Sequence, residues 1–335
     1  MGLGLRQKQP SIFLRYLFYL VLLGVMLSCA GRQVDLVEET NLQKELPKEV
    51  MEKFEIKEAE VKSTPEPEKE KKISKKEKKV SHKKTDKEVA PPKRRIANEP
   101  SWVGEIQTLE MTYFGVVGGE IEMEVLPFKS INNRNVYHLQ ARATSSKLFS
   151  LFYKLDDRVD SFWDFEGLFS HRFNMILNES KQTRNTLELY DFEKNTVYYW
   201  DRWDHWKKGF NEEKFTQEIP PFTQDSMSSY YYVRTLPLET GKTYRFPIVT
   251  NGKKYEAVVD VVRRETIYNK ALGGEVKSIV LSPDMKFEGV LKKKGENLLW
   301  ITDDERRFII QMEAKVKIGL VKATLIKLEK GHAPH

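Results

Sequence analysis

Beyond Trp102 the chain alternates between apolar and polar positions. Ile121, Met123 and Val125 are interleaved with Glu120, Glu122 and Glu124. That period of two puts apolar side chains on one face of a strand and charged ones on the other. Val117-Gly118-Gly119 reads as a turn joining this strand to one over 109–114, a first hairpin. Asn132-Asn133-Arg134-Asn135 is a polar turn into a strand over 136–143, and 146–153 (SKLFSLFY) reads as a short helix or an irregular apolar segment. Further strands are predicted over 155–163, 170–178, 183–191, 196–203, 243–250, 254–264, 275–281, 290–293, 297–302, 307–316 and 318–328. Asn251-Gly252 is the strongest hairpin signal, because a type I′ turn needs positive φ at both central residues. One helix is predicted over 224–236, with Met227, Tyr230, Tyr231 and Leu236 facing the sheet. The pattern describes an all-β protein: a curved antiparallel sheet or barrel-like domain with one or two short helices.

The first hundred residues read differently. An apolar run over 16–28 follows Arg6, Lys8 and Arg15 and ends at Cys29, the only cysteine of 335 residues. A basic start, a short apolar stretch and a small residue at the cut make a secretory signal peptide. With Cys29 at the cut, the pattern resembles a bacterial lipoprotein signal, in which the thiol takes a diacylglyceryl group. An ordinary cleaved leader or an uncleaved anchor are the alternatives, although the run is short for a span. Residues 1–28 are thus read as the signal and 29–100 as a disordered tether rich in Lys, Glu and Pro, which holds one aromatic, Phe54, and too little apolar surface to offset ordering entropy. Leu42, Leu46, Val50 and Phe54 recur at helical spacing inside it, with Pro47 counting against a helix. The basic block 71–87 is either a self-repelling solvated linker or a contact for an anionic envelope polymer or phospholipid. Residues 101–330 form the β domain.

Charge follows the same division. Residues 31–100 hold 19 Lys+Arg against 16 Asp+Glu, and 101–335 hold 34 against 33, so the +7 of the whole chain comes mostly from the leader and tether. A near-neutral domain argues against nucleic acid, which calls for a basic face. One cysteine precludes an internal disulfide.

The domain carries a recognisable series: Tyr113-Phe114-Gly115-Val116-Val117-Gly118-Gly119-Glu120, then Tyr232-Val233-Arg234-Thr235-Leu236-Pro237-Leu238, Gly241 and Tyr244-Arg245-Phe246. Tyr255, Pro283 and Phe287 follow, then Leu299-Trp300-Ile301-Thr302-Asp303-Asp304-Glu305-Arg306-Arg307, Gly319 and Ala323-Thr324-Leu325. This order resembles the bacterial domain of unknown function 3108 family over roughly residues 104–328. The resemblance implies an envelope protein with a curved antiparallel sheet or barrel, and no activity that transfers.

Chemistry-bearing motifs are sparse. Asp303-Asp304 before Arg306-Arg307 is either a carboxylate pair for acid–base or metal work or a turn whose charge the arginines balance. The six histidines (82, 138, 171, 205, 332 and 335) show no metal spacing, and GxSxG, GxGxxG and a P-loop are absent. No catalytic residue, metal or cofactor is expected. Tyr198, Tyr199, Trp200, Trp203 and Trp206, with Trp163 in a second aromatic group, are either core or a ligand surface for sugar rings or acyl chains. Tyr198 and Trp200 share one face of their strand and Tyr199 takes the other. One open sheet cannot bury both faces, so a ligand, a partner or a covering segment must meet some of these rings. Trp163, Tyr198, Trp200, Trp203 and Trp206 are the candidate ligand residues and Cys29 the lipidation site. The expected protein is a non-enzymatic outer-membrane lipoprotein with its domain facing the periplasm, binding a lipid or glycan. The alternatives are an assembly factor docking an envelope protein, and a cell-wall hydrolase using Asp303 and Asp304.

Overall fold

A computed structural model describes residues 46–59, 93–286, 297–316 and 319–333. Cys29, the leader, most of the stretch read as tether and the strand expected over 290–293 lie outside the described residues.

The strands are β1 (Lys57–Glu58), β2 (Val103–Tyr113), β3 (Val116–Ile131), β4 (Arg134–Ser145), β5 (Asp156–Asp164), β6 (Ser170–Glu179), β7 (Gln182–Asp191), β8 (Thr196–His205), β9 (Gly209–Glu218), β10 (Thr243–Thr250), β11 (Lys253–Asn269), β12 (Gly274–Lys286), β13 (Asn297–Thr302), β14 (Ile309–Lys315) and β15 (Leu320–His332). The helices are α1 (Lys48–Lys53) and α2 (Ser228–Thr235). All fifteen strands form one antiparallel sheet in the order β10-β11-β12-β13-β14-β15-β2-β3-β4-β5-β6-β7-β8-β9, with β1 added beside β3. Strands consecutive in the chain pair with each other, so connections from β2 to β9 alternate between two ends of the sheet. We call these the rim (the β2–β3, β4–β5, β6–β7 and β8–β9 turns) and the base.

Register slips at Leu126–Lys129, Val261–Arg263 and Leu325–Lys327 put extra residues on one strand of a pair, which bends and twists a sheet. The sheet curls until its two edges approach without pairing. Gln224 bridges them: its amide donates to the Pro247 carbonyl at 3.0 Å, and its carbonyl accepts from Val249 at 2.9 Å. The Asn251-Gly252 turn of the β10–β11 hairpin reaches β9, where Gln217 Nε2 donates to the Gly252 carbonyl at 2.5 Å. Only glycine fits there. Its φ is +62°, and a Cβ would lie 2.7 Å from ring atoms of both Phe215 and Tyr199.

The curl encloses α2. Met227, Tyr231, Tyr232 and Val233 join the main core with Leu109, Ile121, Met123, Val125, Tyr137, Leu139, Trp163 and Ile248. The helix lies within 224–236, as the sequence predicts, and starts where Asp225 Oδ1 accepts from the amides of Met227 and Ser228. Its one charged side chain, Arg234, is buried at the base and held by Glu105 at 2.7 Å, the carboxylate that also takes Arg306 at 2.8 Å.

Residues 46–59 differ from the disordered reading. Pro47 caps α1 rather than breaking it, since proline lacks only a donor that the first turn does not use. Leu46 and Phe54 pack on the outer face of the sheet against Ile131, Val136, Phe162, Leu187, Leu189 and Trp200. Lys53 Nζ lies 2.9 Å from Asp191 and 2.6 Å from Glu193. Among the described residues no helix is long and apolar enough to cross a membrane.

Candidate functional site

The sequence-selected aromatics separate into two groups. Trp163 is core, its indole donating to Gln224 Oε1 at 2.9 Å. Trp200 is fully buried under α1, with Tyr198 packed at the edge of the same cluster. The covering segment that the two-sided burial of β8 requires is therefore α1, and these three rings are structural. Tyr199 faces inward against Phe215, ring centroids 5.0 Å apart. Only Trp203 and Trp206 reach the rim, where both are half-exposed.

Trp203 tops a chain of buried polar groups. Its indole donates to Gln182 Oε1 at 3.0 Å, and Gln182 Nε2 donates to Glu179 Oε2 at 2.7 Å. Tyr153 donates to the same carboxyl. Glu179 faces Asp157, whose Oδ1 accepts from the Asn178 amide at 2.8 Å. The remaining oxygens, Asp157 Oδ2 and Glu179 Oε1, are buried with no other partner. Burial raises both acids above the usual carboxylate range, and their mutual repulsion raises Asp157 further, so the pair retains a shared proton. Deeper inside, burial pushes Glu188 up to about 7 against hydrogen bonds from the Gly252 amide and the Tyr190 hydroxyl. His205 lies edge-on to the Trp203 ring, centroids 5.4 Å apart, while His171 pairs with Asp164 at 2.8 Å and His138 with Asp160 at 2.7 Å. No group of three His, Cys, Asp or Glu that could hold a metal occurs among the described residues.

Asp303 and Asp304 form the turn rather than a cleft. Asp304 Oδ1 accepts from the Arg306 and Arg307 amides at 3.0 and 2.8 Å, and Asp303 pairs with Arg264 at 2.9 Å.

The feature missed from sequence is the rim itself. Phe152, Leu151 and Phe114 are 81%, 78% and 68% exposed, and Leu148, Val116, Val117 and Leu320 are also open to solvent. They share one surface because hydrogen bonds tie the turns together. The Ser146 amide donates to the Gly118 carbonyl at 2.9 Å, joining β4–β5 to β2–β3. Ser180 and Trp206 continue the arc, donating to the Lys154 and Lys181 carbonyls, each at 3.0 Å. Phe114 closes it toward β15, lying where a Cβ on Gly319 would be 2.7 Å from its ring. The available signal was the segment SKLFSLFYK, apolar where a strand connection is normally polar.

The model of the family described as "Protein of unknown function (DUF3108)" matches residues 108–326, most of the sheet. The chain belongs to this family. Among solved structures, this DUF3108 member is similar to a β-barrel-like DUF1849 protein from Brucella abortus, at 10% identity, TM-score 0.43, over 68% of this chain and 98% of that one. A second is a Parabacteroides distasonis ATCC 8503 protein described as a "putative lipoprotein", at 8% identity, TM-score 0.30, over 72% of this chain and all of that one. No curated protein matches. At these TM-scores neither structure carries weight about function.

Proposed function

We propose that this DUF3108 protein is a non-enzymatic envelope lipoprotein, tethered through a lipid on Cys29 to the periplasmic side of the outer membrane, whose β domain binds an amphipathic lipid at its rim. The observation that supports this is the continuous exposed apolar surface of Phe114, Val116, Val117, Leu148, Leu151 and Phe152. Surfaces of this kind on soluble domains mark interaction sites. One interior cleft among the described residues offers less. The apolar cleft between α2 and the β10–β13 strands, lined by Tyr230, Val233, Phe246, Ala257, Val259 and Leu299, holds about 30 Å³. That is room for a water or two, whereas ligand pockets run to roughly 300 Å³ or more. A ligand surface on Trp163, Tyr198 and Trp200 would also require taking the core or α1 apart.

Protein docking along the β9 edge is the weaker reading. That strand is exposed and carries Glu212, Glu213 and Lys214, the kind of charge that discourages edge pairing. The test is a titration of the chain from Ala30 onward with zwitterionic lysophosphatidylcholine, read by amide exchange. Protection gathered at 114–117 and 146–155, and absent in Leu151→Ser/Phe152→Ser, is expected. Uniform exchange with and without lysolipid overturns the reading.

A further inference from the structure

Resting on the apolar rim as the lipid-binding surface, we infer that the rim is a docking face for the anionic headgroup surface of a phospholipid bilayer, with Leu148, Leu151, Phe152 and Phe114 entering the interface and a lysine arc holding the headgroups. The fold gathers charge of one sign there. The four rim connections (114–115, 146–155, 180–181 and 206–208) contain Lys147, Lys154, Lys181, Lys207 and Lys208 and no Asp or Glu. The nearest carboxylates are already engaged or set back on strands. Asp156 pairs with Arg142 at 3.0 Å, Glu179 is buried, and Asp204 lies on β8. None of the five lysines forms an ion pair among the described residues.

At the base, acidic and basic side chains are mixed: the unpaired Lys194, Lys242 and Lys330 stand within three residues of Glu193, Glu239 and Glu329, and arginines are paired. Arg95 pairs with Glu99, Arg134 with Asp164, Arg234 and Arg306 with Glu105, and Arg264 with Asp303. A domain of almost zero net charge thus gathers five unpaired lysines, with no carboxylate in the same connections, at the end where Phe114, Leu148, Leu151 and Phe152 are exposed. Lys181 and Lys207 lie 5.6 and 4.5 Å from the Trp206 ring centroid. Trp206 is therefore a half-exposed aromatic flanked by cations, a composition suited to the bilayer interface. The local field is already visible on His205. After burial, the charges of Lys208 and Lys207 hold its imidazole below the usual range. Apolar insertion and basic attraction together are what peripheral membrane binding needs, since either alone is weak. A protein partner would meet the same apolar residues without needing the lysine arc.

The test is flotation of the chain from Ala30 onward, checked for cooperative urea unfolding, with vesicles of phosphatidylcholine alone and with vesicles of phosphatidylcholine mixed with phosphatidylglycerol. Because the basic block 71–87 could itself attract anionic lipid, every arm is repeated with that block deleted. Expected is at least tenfold stronger partitioning onto the phosphatidylglycerol vesicles. That excess should survive deletion of 71–87 and fall at least tenfold in Lys147→Gln/Lys154→Gln/Lys207→Gln/Lys208→Gln. Equal binding to both vesicle types, still lost in Leu151→Ser/Phe152→Ser, overturns the anionic preference and leaves the lipid-binding rim standing. Loss of the preference on deleting 71–87 also overturns it, assigning the attraction to that block. Binding indifferent to Leu151→Ser/Phe152→Ser, or no binding to either vesicle, overturns the lipid-binding rim as well and returns the surface to a protein partner.

Discussion

The buried pair Asp157 and Glu179 makes a quantitative prediction. With its shared proton the pair is a hydrogen-bonded acid and carboxylate; without it, two negative charges oppose each other with no solvent between them. In the unfolded chain both titrate near 4. The folded pair therefore binds one more proton than the unfolded chain from about pH 5 upward, so its contribution to stability declines as pH rises through the raised folded pKa. One proton corresponds to about 1.4 kcal/mol per pH unit. Glu188, held at about 7, contributes the same sign of slope at lower pH, so the clean window is pH 7.0–8.5. Across it, loss of the proton's contribution should lower stability by about 2 kcal/mol. Asp157→Asn supplies a permanent amide donor to Glu179 Oε1 and abolishes the need for the proton. The variant should therefore gain stability relative to wild type as pH rises, by about 2 kcal/mol over that window. Urea unfolding at half-unit steps, followed by tryptophan fluorescence, measures it. Parallel pH dependences for the two proteins would refute the shared proton.

Two further predictions concern the fold. Glu105→Gln removes the anion that serves both Arg234 and Arg306 in a buried site, which should cost about 3–5 kcal/mol in denaturant unfolding. Gly119→Ala drives a methyl group into the Thr144 carbonyl oxygen; since backbone cannot move aside as a side chain can, a loss of roughly 1–3 kcal/mol in the same assay is expected.

Much of the sheet was legible, because a strand with one wet face prints its period of two. β3 and β4 are the clearest cases, and Asn251-Gly252 marks the β10–β11 turn. β9 was missed. Its sequence, GFNEEKFTQE, belongs to an edge strand exposed throughout its first six residues, so alternation is imposed only on its last four. α1 was missed as a docked element because its partners, Trp200, Leu187 and Phe162, lie on strands more than a hundred residues away, and local composition cannot report that. The lysine arc required a different step. No single turn is notable. Only when every second connection from β2 to β9 is read together do Lys147, Lys154, Lys181, Lys207 and Lys208 gather at one end. That inference needs the meander order, which the alternating strands suggest but do not prove. The aromatics around Trp200 misled for a related reason, since a ring under a covering segment and a ring awaiting a ligand look the same in sequence.

Docking of 46–59 also resets the length of the tether. α1 meets the sheet near the β3–β4 turn at the base, through Ile131 and Val136. The stretch from Cys29 to Leu46 spans at most about 60 Å when fully extended. β4 runs from base to rim in 12 residues, about 40 Å, so a domain anchored through Cys29 can lay its rim on the membrane that anchors it. Because β1 and Lys93 both sit on the domain, the basic block between them adds nothing to that reach. Undocking α1 does. Phe54→Ser would move the first point of attachment from Leu46 to β1 at Lys57, which makes the leash from Cys29 about 1.6 times as long. Effective concentration falls roughly as the −3/2 power of leash length, so rim contact by the anchored protein should weaken about twofold. The same substitution should leave vesicle binding by the unanchored chain unchanged. Brominated-lipid quenching of Trp206, compared between lipidated protein in vesicles and the chain from Ala30 onward, separates the two. Equal quenching of wild type and Phe54→Ser in the anchored form would mean that the docked segment does not set the leash.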